Sequence, residues 1–301
     1  MKVQFDHEFQ SSLFLYLDNH ILYNGEGSGI TQGMNFAYYS ETSDVGSIGG
    51  TELAAFYAPQ KQLVSDGVPS GDNKVYLSNS TTVADGWYYQ NVNSSELLVI
   101  DHYEGRIVMN PDYYGDPDLL NVSGNFATKD FNIYITNESE EQLFVENEFI
   151  LADDNETYFE SIKGLNLQRY VVPAVFISLN NTDNIPYGFG GEDDTREYPR
   201  IVCVADSNYG LDGILSLGRD IKQTSFPQIP FEDFPYGQFF HVKGNEYSYT
   251  GLKADHPNSS YAYIENSTTS KLYDRSSNKI PKNLRIGFID LEVSNIRYPR
   301  Q

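Results

Sequence analysis

The chain has 301 residues and a formal net charge of −22, with 42 acidic and 20 basic residues. This length suffices for one large or two medium domains with a buried core. The aromatic content of 14%, with 24 Tyr and 18 Phe, excludes a disordered chain. The negative charge repels DNA phosphates, so nucleic acid is a poor direct partner for most of the surface, although local basic patches remain compatible with it.

The single cysteine and the lack of long apolar runs narrow the class of protein. Cys203 stands alone, which excludes an internal disulfide framework and a zinc site built from cysteines, and its apolar surroundings predict a small core residue. The first ten residues lack the apolar core of a signal peptide, and no stretch approaches the roughly 18 apolar residues of a transmembrane helix. We therefore expect a protein that is assembled inside a cell.

The first 51 residues predict a strand followed by a loop. In LFLYLDNHILY (13–23), leucines alternate with Phe14 and Tyr16 and a turn follows at Asp18-Asn19, a pattern that indicates a strand in a hairpin. Residues 24–51 are rich in Gly and Ser and lack a period, so they predict a long loop. Loops of this length in compact domains usually bind something or become ordered on assembly.

The middle of the chain predicts further strands. LLVIDHYEGRIVMN (97–110) is the clearest hairpin, with Gly105 in its turn. KDFNIYITN (129–137) alternates in the manner of a strand, and VVPAVFISL (171–179) predicts another, in which Pro173 indicates a sheet edge or a bulge.

The last strand has two alternating patterns. Ile289, Leu291 and Val293 alternate with Asp290 and Glu292, so we expect the apolar side chains to face a core and the acidic ones solvent or a partner chain. The earlier apolar residues, which are Leu284, Ile286 and Phe288, have the opposite parity. A change of parity beside Gly287 predicts a β-bulge.

One helix is well supported. Leu211, Ile214, Leu215, Gly218 and Ile221 follow helical spacing in residues 208–223. Ser207 or Asn208 can cap its first turn. Gly213 and Gly218 disfavour a helix by about 1 kcal/mol each, which indicates close packing on a sheet or a neighbouring subunit.

Together these elements predict a mainly β protein with an α+β C-terminal part: antiparallel sheets and hairpins, long loops and one clear helix near 208–223. We expect a β-rich domain with long loops over 1–155. An α+β domain follows over 165–301, with a sheet, the single helix and the C-terminal strand. The polar stretch ADDNETYFESIKG (152–164) is the expected join.

The turn before the helix raises the question of catalysis. Ser207 follows a strand and precedes a helix, but it lies in A-D-S-N-Y and not in the G-x-S-x-G of a nucleophile elbow. There is no phosphate-binding G-x-x-x-x-G-K-[ST], and the calcium-loop pattern that begins at Asp206 and Asn208 ends at Gly210. Helix capping explains these residues better than catalysis does.

The other polar candidates form no motif. The histidines, which are His7, His20, His102, His241 and His256, never stand at i, i+4. The acidic loops 114–120, 152–157 and 190–195 can hold calcium, although solvated loops are commoner in so acidic a chain. Carboxylate pairs for sugar hydrolysis, for which Asp101 with Glu104 and Asp193 with Asp194 are candidates, are recognisable only in space. No catalytic, cofactor-binding or metal-binding residue is assigned.

Tyrosine clusters indicate binding surfaces. WYYQ (87–90), YSYTG (247–251) and YAYI (261–264) can form either a sugar-binding platform or a protein interface. Tyrosine offers a large contact area with a polar end, and without a catalytic motif we favour the interface.

The strand patterns resemble those of tailed-bacteriophage structural proteins. LVIDHYEGRIVMN and SGNFATKDFNIYITN look like the hairpin-and-strand blocks of these virion proteins. YPRIVCVADSNYGLDGILSLGRDIKQ with the closing GFIDLEVSNIRYPR resembles the strand–helix–strand layout of their neck and tail-completion proteins. The likeness covers about half of the chain and consists of structural patterns, so no functional residue is carried over.

The resemblance implies a non-enzymatic virion component, a homo-oligomeric ring in the neck or tail of the connector or tail-terminator kind. Its expected partners are other virion proteins, with no membrane and no cofactor, and DNA can pass through its lumen. Assembly in the host cytoplasm is expected. A glycan- or receptor-binding appendage of the tail fibre or baseplate is the alternative, and a carboxylate-dependent glycoside hydrolase is a further one.

Overall fold

The computed structural model of the chain describes residues 5–24, 31–38, 47–48, 51–58, 62–67, 74–80, 84–89, 97–110, 116, 118–151, 169–188, 191–236, 247–272 and 284–298. This part of the chain forms two large, mostly antiparallel sheets and four α-helices, which confirms a mainly β fold with an α+β C-terminal part. Within it, no helix combines the length and the apolar character that crossing a membrane requires.

Seven strands form the first sheet. They are β1 Thr31–Tyr38, β4 Ala54–Tyr57, β5 Lys74–Ser78, β6 Gly86–Tyr89, β7 Leu97–Asp101, β8 Arg106–Met109 and β9 Asn121–Ala127, in the spatial order β6-β5-β9-β1-β4-β8-β7. The short strands β2 Ser47–Ile48 and β3 Thr51–Glu52 form a separate pair. One face of the large sheet buries a core that includes Phe36, Phe56, Val75 and Phe126.

The second sheet has six strands. They are β10 Asn132–Ile135, β13 Ala174–Tyr187, β14 Glu192–Ala205, β15 Ser225–Pro227, β16 Tyr261–Lys271 and β17 Arg285–Arg297, in the order β10-β13-β14-β17-β16-β15. Two further strands, β11 Glu148–Leu151 and β12 Arg169–Val172, pair in parallel with each other and lie between β10 and β13 in the sequence. The helices are α1 Phe5–Asn24, α2 Glu140–Glu146, α3 Asn208–Asp220 and α4 Tyr249–Asp255, and a short 3-10 turn spans Phe231–Asp233.

Helices α1 and α3 cover one face of the second sheet, which we call the helix face. Leu17 and Ile21 of α1 and Ile214 of α3 line a narrow apolar cleft with Val175 and Ile289 of the sheet. On the opposite face, which we call the open face, Tyr134, Phe149, Tyr170 and Phe176 pack as an aromatic cluster near β10.

The predicted helix is confirmed. Helix α3 covers Asn208–Asp220, and Ser207 caps it by accepting a hydrogen bond from the Gly210 amide at 3.1 Å. A Cβ at Gly218 would meet Ile289 at 2.5 Å, so this glycine permits the close approach of α3 to β17. Gly213 has open space around its Cβ position, and packing does not explain it.

The prediction of a strand over 13–23 is wrong, because these residues belong to α1. The helix is buried on almost every side, by β10, β13, β15, α3 and α4. Its buried sides carry polar residues such as Ser12 and Asp18 as well as apolar ones, so the helix lacks the single apolar stripe that marks an amphipathic helix. Leu13 to Leu17 therefore imitate a buried strand, and length alone distinguishes the two.

The predicted loop over 24–51 also contains a strand. Residues 31–38 form β1, which lies between β9 and β4 at the centre of the first sheet. Met34 and Phe36 point into the core and Asn35 into solvent, so the period-two signal is present but short. The flanking residues 25–30 and 39–46 lie outside the described part of the chain.

Pro173 occupies neither a sheet edge nor a bulge. It separates β12 from β13, where the chain leaves the small parallel pair and enters the second sheet. At its start β13 lies between β10 and β14, and the carbonyl of Pro173 accepts a hydrogen bond from the Asn132 amide at 2.9 Å. A proline can occupy this place because it precedes the ladder and need not donate to it.

The C-terminal strand is confirmed, but its bulge is not. Ile289, Leu291 and Val293 are buried on the helix face, and β14 pairs with β17 without a register shift from Arg285 to Arg297. The apolar residues change parity because the two faces of β17 are buried over different lengths. At the start of the strand both faces are buried, including Ile286 on the open face. Further along, among the described residues, the helix face is buried and the open face is partly exposed. The register shift in this region lies in β16, between Ile264 and Asn266.

The hairpin over 97–110 is confirmed as β7 and β8. Gly105 adopts a φ of 60° in its turn, a conformation that glycine reaches without strain. Asp101 pairs with Arg106 at 3.0 Å across the same turn.

A buried polar network connects the two sheets through α1. Asp18 of α1 pairs with Lys129 at 2.6 Å, and both side chains are 3% exposed. Tyr247 donates to the second Asp18 oxygen at 3.1 Å. Beside this pair, Asp66 accepts hydrogen bonds from the Asn19 side chain at 2.6 Å and from the Tyr249 amide at 2.8 Å. Because every one of these segments comes from a different part of the chain, the network fixes their mutual positions.

Candidate functional site

The strand-to-helix turn holds no catalytic arrangement among the described residues. Ser207 is engaged as the helix cap, Asp206 is exposed, and Asn208 begins the helix. Asp212 forms an ion pair with Lys271 of β16. Each candidate therefore has a structural position, and the turn serves to start α3.

The carboxylate pairs do not form acid–base sites. Asp101 accepts from the Glu104 amide at 3.1 Å and pairs with Arg106, so it stabilises the hairpin turn. Asp193 and Asp194 are adjacent in a strand, so their side chains point to opposite faces of the sheet. Asp194 accepts from Arg196 at 3.0 Å.

The acidic loops fall partly outside the described residues. In loop 114–120, the Asp118 amide donates to Asp116 at 3.1 Å, which is a local turn. Loop 152–157 lies in the part of the chain that the structure leaves undescribed, and so does His241. Among the described residues, no three His, Cys, Asp or Glu side chains come together as a metal site.

The described histidines are dispersed. His102 is buried in the turn between β7 and β8, and burial lowers its pKa to about 4. His20 stacks on Tyr16 within α1, and burial lowers its pKa as well. His256 lies 3.6 Å from Asp233, and His7 is exposed at the start of α1. Cys203 is buried in the second sheet as predicted, and burial raises the pKa of its thiol.

The tyrosine clusters separate into core and surface. Tyr247 and Tyr249 are buried around the Asp18–Lys129 pair, so they belong to the interior. Trp87 and Tyr89 of β6 are exposed, and so are Tyr261 and Tyr263 of β16. Sequence reasoning identified these clusters but could not separate the buried pair from the exposed ones.

The exposed tyrosines of β16 belong to a larger apolar surface on the second sheet. We call this surface the outer arm. It consists of the open-face side chains at the far end of the sheet, each between 40% and 68% exposed: Ile185, Tyr187, Tyr261, Tyr263, Ile296 and Tyr298. Nearly half of the exposed large apolar side chains of the described chain therefore lie in one area, which is typical of an interaction site.

Strand register places these six side chains together. Ile185 is opposite Asp194, which is opposite Ile296, so the three form one row across β13, β14 and β17. Directly opposite residues point to the same face of a sheet. In the next row of the same face, Tyr263 is opposite Ser294. On the other side of the first row, Tyr187 is opposite Glu192, which accepts a hydrogen bond from Tyr298. No single segment of sequence contains this surface.

Charged side chains of β14 lie between the apolar rows of the outer arm. Asp194 stands between Ile185 and Ile296, and Arg196 contacts Asp194 at 3.0 Å and Glu292 at 2.9 Å. Further along the open face, Arg200 pairs with Asp290 and Glu140, each at 2.6 Å. The arm therefore combines exposed apolar side chains with ion pairs, a mixture that suits contact with another protein chain.

The edge of β13 lies beside the outer arm. Strand β10 pairs with β13 only at residues 174–177, and no described strand pairs with this edge over 178–187. An open strand edge presents unpaired N–H and C=O groups to which another strand can add. The arm thus offers both a face and an edge to a partner.

Behind the outer arm, on the helix face, lies a buried carboxyl group. Glu197 is 0% exposed and accepts from Thr182 at 2.6 Å through one oxygen. Its other oxygen and both polar side-chain atoms of the neighbouring Asn295 have no partner among the described residues. Burial raises the Glu197 pKa to about 7, and Asp6 contributes in the same direction, while the bond from Thr182 and the charge of Arg297 oppose it.

We expect Glu197→Gln to stabilise the protein above neutral pH. Between an ordinary value of 4.5 and a folded-state pKa of about 7, the folded protein holds a proton that the unfolded chain releases. The free energy of unfolding therefore falls as pH rises through this window. The variant removes that loss, so its stability gain should grow by about 2.5 kcal/mol between pH 5 and pH 8.5. Urea unfolding at several pH values measures it.

Glu232, an exposed carboxylate on the 3-10 turn, provides the matched control. Glu232→Gln should leave the pH profile of the wild type unchanged. A Glu197→Gln gain that is equal at pH 5 and pH 8.5 contradicts the assignment.

Comparisons with known proteins give no family for the chain. A scan against models of protein families finds no match, and a search of curated proteins finds no significant similarity.

Proposed function

We propose that this chain is a non-enzymatic structural component of a tailed-phage virion, an oligomeric ring subunit of the neck or tail. The outer arm is the observation that carries the proposal. It combines exposed tyrosine and isoleucine side chains, ion pairs that lie between them and an open strand edge at one end of the sheet. These properties suit a contact with another protein chain.

A second copy of the same chain is the proposed occupant. A ring forms when one patch of each subunit binds a different patch of the next and the rotation closes. The part of β13 that reaches the arm, residues 180–187, is exposed, so it is accessible to a neighbour. Acidic charge on the remaining surface suits a channel through which DNA moves without sticking. The resemblance of the strand blocks to neck and tail-completion proteins supplies the virion setting.

The test compares Ile296→Glu with Tyr209→Glu. Ile296 is at the centre of the arm, whereas Tyr209 is 72% exposed on α3, at the opposite face of the sheet. Sedimentation equilibrium of the purified chain should show a concentration-dependent oligomer. Ile296→Glu should raise its dissociation constant about tenfold or more, because a central interface residue typically contributes at least 1 kcal/mol. Tyr209→Glu should leave it unchanged. Circular dichroism verifies that both variants are folded.

Two results overturn the proposal. One is a wild-type chain that remains monomeric up to its solubility limit. The other is an oligomer that both variants preserve. In assembled particles, a density map should show a closed ring of identical copies at one axial position. A trimer at a fibre tip overturns the ring and favours the receptor-binding appendage.

A further inference from the structure

The first sheet carries a second exposed surface, distant in sequence from the outer arm. Lys74 and Tyr76 of β5 are opposite Tyr89 and Trp87 of β6, so these four side chains share one face, and we call them the aromatic platform. Trp87 is 44% and Tyr89 53% exposed. The residues between them, such as Val75, point to the buried core, so the platform is the solvent face of this sheet.

The platform is ordered by contacts among its own residues. The rings of Tyr76 and Trp87 pack edge to face, with centroids 5.4 Å apart. The Lys74 ammonium lies 4.9 Å from the Trp87 ring centre and 5.8 Å from that of Tyr89. Two aromatic rings therefore flank one cation on an exposed strand pair.

Polar groups without charge continue the platform across the sheet. Tyr76 is opposite Ser123 of β9, and Ser123 is opposite Asn35 of β1, so this row runs from an indole to an amide. Asn121 and Asn125 share the face with Ser123, because they are two residues away from it in the same strand, and both are exposed. Amide and hydroxyl groups both donate and accept hydrogen bonds.

The charge of this surface differs from that of the protein. Strands β1, β5, β6 and β9 contain no Asp or Glu and one Lys, in a chain with 42 acidic residues. The nearby Asp85 accepts from the Asn79 amide at 3.1 Å at the end of the hairpin. Lys74 is thus the one charged side chain of these four strands, and an anionic ligand complements it.

We propose that the aromatic platform binds a glycan that contains an acidic pyranose, a sialic or uronic acid. One face of a pyranose presents C–H groups, which suit the negative faces of the Trp87 and Tyr89 rings. Its hydroxyl groups suit Asn121, Ser123 and Asn125, and its carboxylate pairs with the Lys74 ammonium. Exposed cation–π contacts are weak, so the carboxylate can draw Lys74 away from one ring.

This chemistry distinguishes the platform from the outer arm. The arm carries the aliphatic side chains of Ile185 and Ile296 on either side of an ion pair between Asp194 and Arg196. The platform carries aromatic rings among neutral amides, the usual lining of a site for a polar small ligand. A nucleic acid also has an anionic backbone, but the charge of −22 opposes a long polyanion more than a single sugar.

The experiment uses Trp87 as its own probe, because it is the one tryptophan of the chain. Its fluorescence is followed during titration with sialyllactose, trigalacturonic acid and neutral lactose. At least one acidic sugar should change the emission in a saturable way, and the sugar that does so identifies the source. Lys74→Met should weaken binding of that sugar by about tenfold or more through loss of the charge-assisted bond.

Further variants distinguish the loss of the binding site from a loss of folding. Isothermal titration calorimetry replaces fluorescence for Trp87→Phe, which should keep weakened binding, and for Trp87→Ala, which should lose it. Tyr209→Ala, which removes another exposed aromatic side chain on α3, should bind as the wild type does. Thermal unfolding checks that each variant is folded. If Trp87→Ala fails to fold, Lys74→Met and Trp87→Phe still decide the question.

Several outcomes overturn the proposal. The first is that no sugar changes the emission and no acidic glycan on an array gives a signal. The second is that lactose binds as tightly as the acidic sugars. The third is that an acidic sugar binds equally well to Lys74→Met and to Trp87→Ala. Self-association that Trp87→Ala abolishes, in the absence of glycan binding, identifies the platform as a protein interface. Because the outer arm is not involved, the sugar titrations do not bear on the oligomer.

Discussion

Deletion of residues 284–301 is expected to leave the chain unfolded. Strand β17 lies between β14 and β16, so its loss removes the ladders on both sides of the centre of the second sheet. It also removes Ile289, on which α3 packs through Gly218, together with the buried side chains of Leu291 and Val293. Each buried aliphatic side chain contributes about 1.5–3 kcal/mol, so these three contribute about 4.5–9 kcal/mol, which is comparable with the 5–15 kcal/mol stability of a typical domain before the loss of both ladders is counted.

Far-UV circular dichroism and urea unfolding measure the effect. The matched control is deletion of residues 298–301, which removes the exposed Tyr298 and its bond to Glu192 but leaves the whole of β17. This shorter chain should fold with near wild-type stability and oligomerise more weakly. A cooperative, wild-type-like transition in the longer deletion contradicts the central position of β17.

Replacement of Lys129 by Met should cost about 3–5 kcal/mol of stability, because it leaves a buried carboxylate without its cation. Asp18 and Lys129 are each 3% exposed and 2.6 Å apart, and Tyr247 donates to the same carboxylate. Loss of the ammonium leaves the Asp18 charge in a low-dielectric interior with one remaining hydrogen bond. The expected loss is among the largest for any single substitution in the protein.

A double-mutant cycle tests whether the cost comes from the pair. Asp18→Asn with Lys129→Met should cost less than the sum of the two single variants, because the second change removes the charge that the first one stranded. Lys222→Met, at an exposed position after α3, is the control and should change stability by less than about 0.5 kcal/mol. Additive costs in the cycle contradict a direct interaction.

The sequence predicts those elements whose two faces differ. Helix α3 has one face on the sheet and one in water, and the later part of β17 has its apolar residues on one face only, so both have a clear period. Helix α1 is enclosed on nearly every side and lacks that contrast. A signal for it exists in the four-residue spacing of Phe5, Phe9, Leu13, Leu17 and Ile21, which all lie along one side of a helix.

The surfaces are harder to predict because they depend on register. Trp87 and Tyr89 are visible in the sequence as an aromatic cluster, yet their relation to Lys74 depends on the pairing of β5 with β6. The outer arm combines residues that are more than 100 positions apart, such as Ile185 and Ile296. The Asp18–Lys129 pair is equally remote, and nothing local marks either residue as buried.

The enclosure of α1 has a consequence for biosynthesis. Ser12 accepts a hydrogen bond from the Ile229 amide 217 residues later, and Asp18 accepts one from Tyr247 229 residues later. At about 5–20 residues per second, a ribosome needs roughly 10–45 seconds to make the segments that cover this helix. During that time the helix can contact Lys129 and β10 but not the later segments that complete its cover. Its production should therefore depend on chaperone binding to residues 5–24, and ribosome-stalled chains that end before Tyr247 should retain that chaperone.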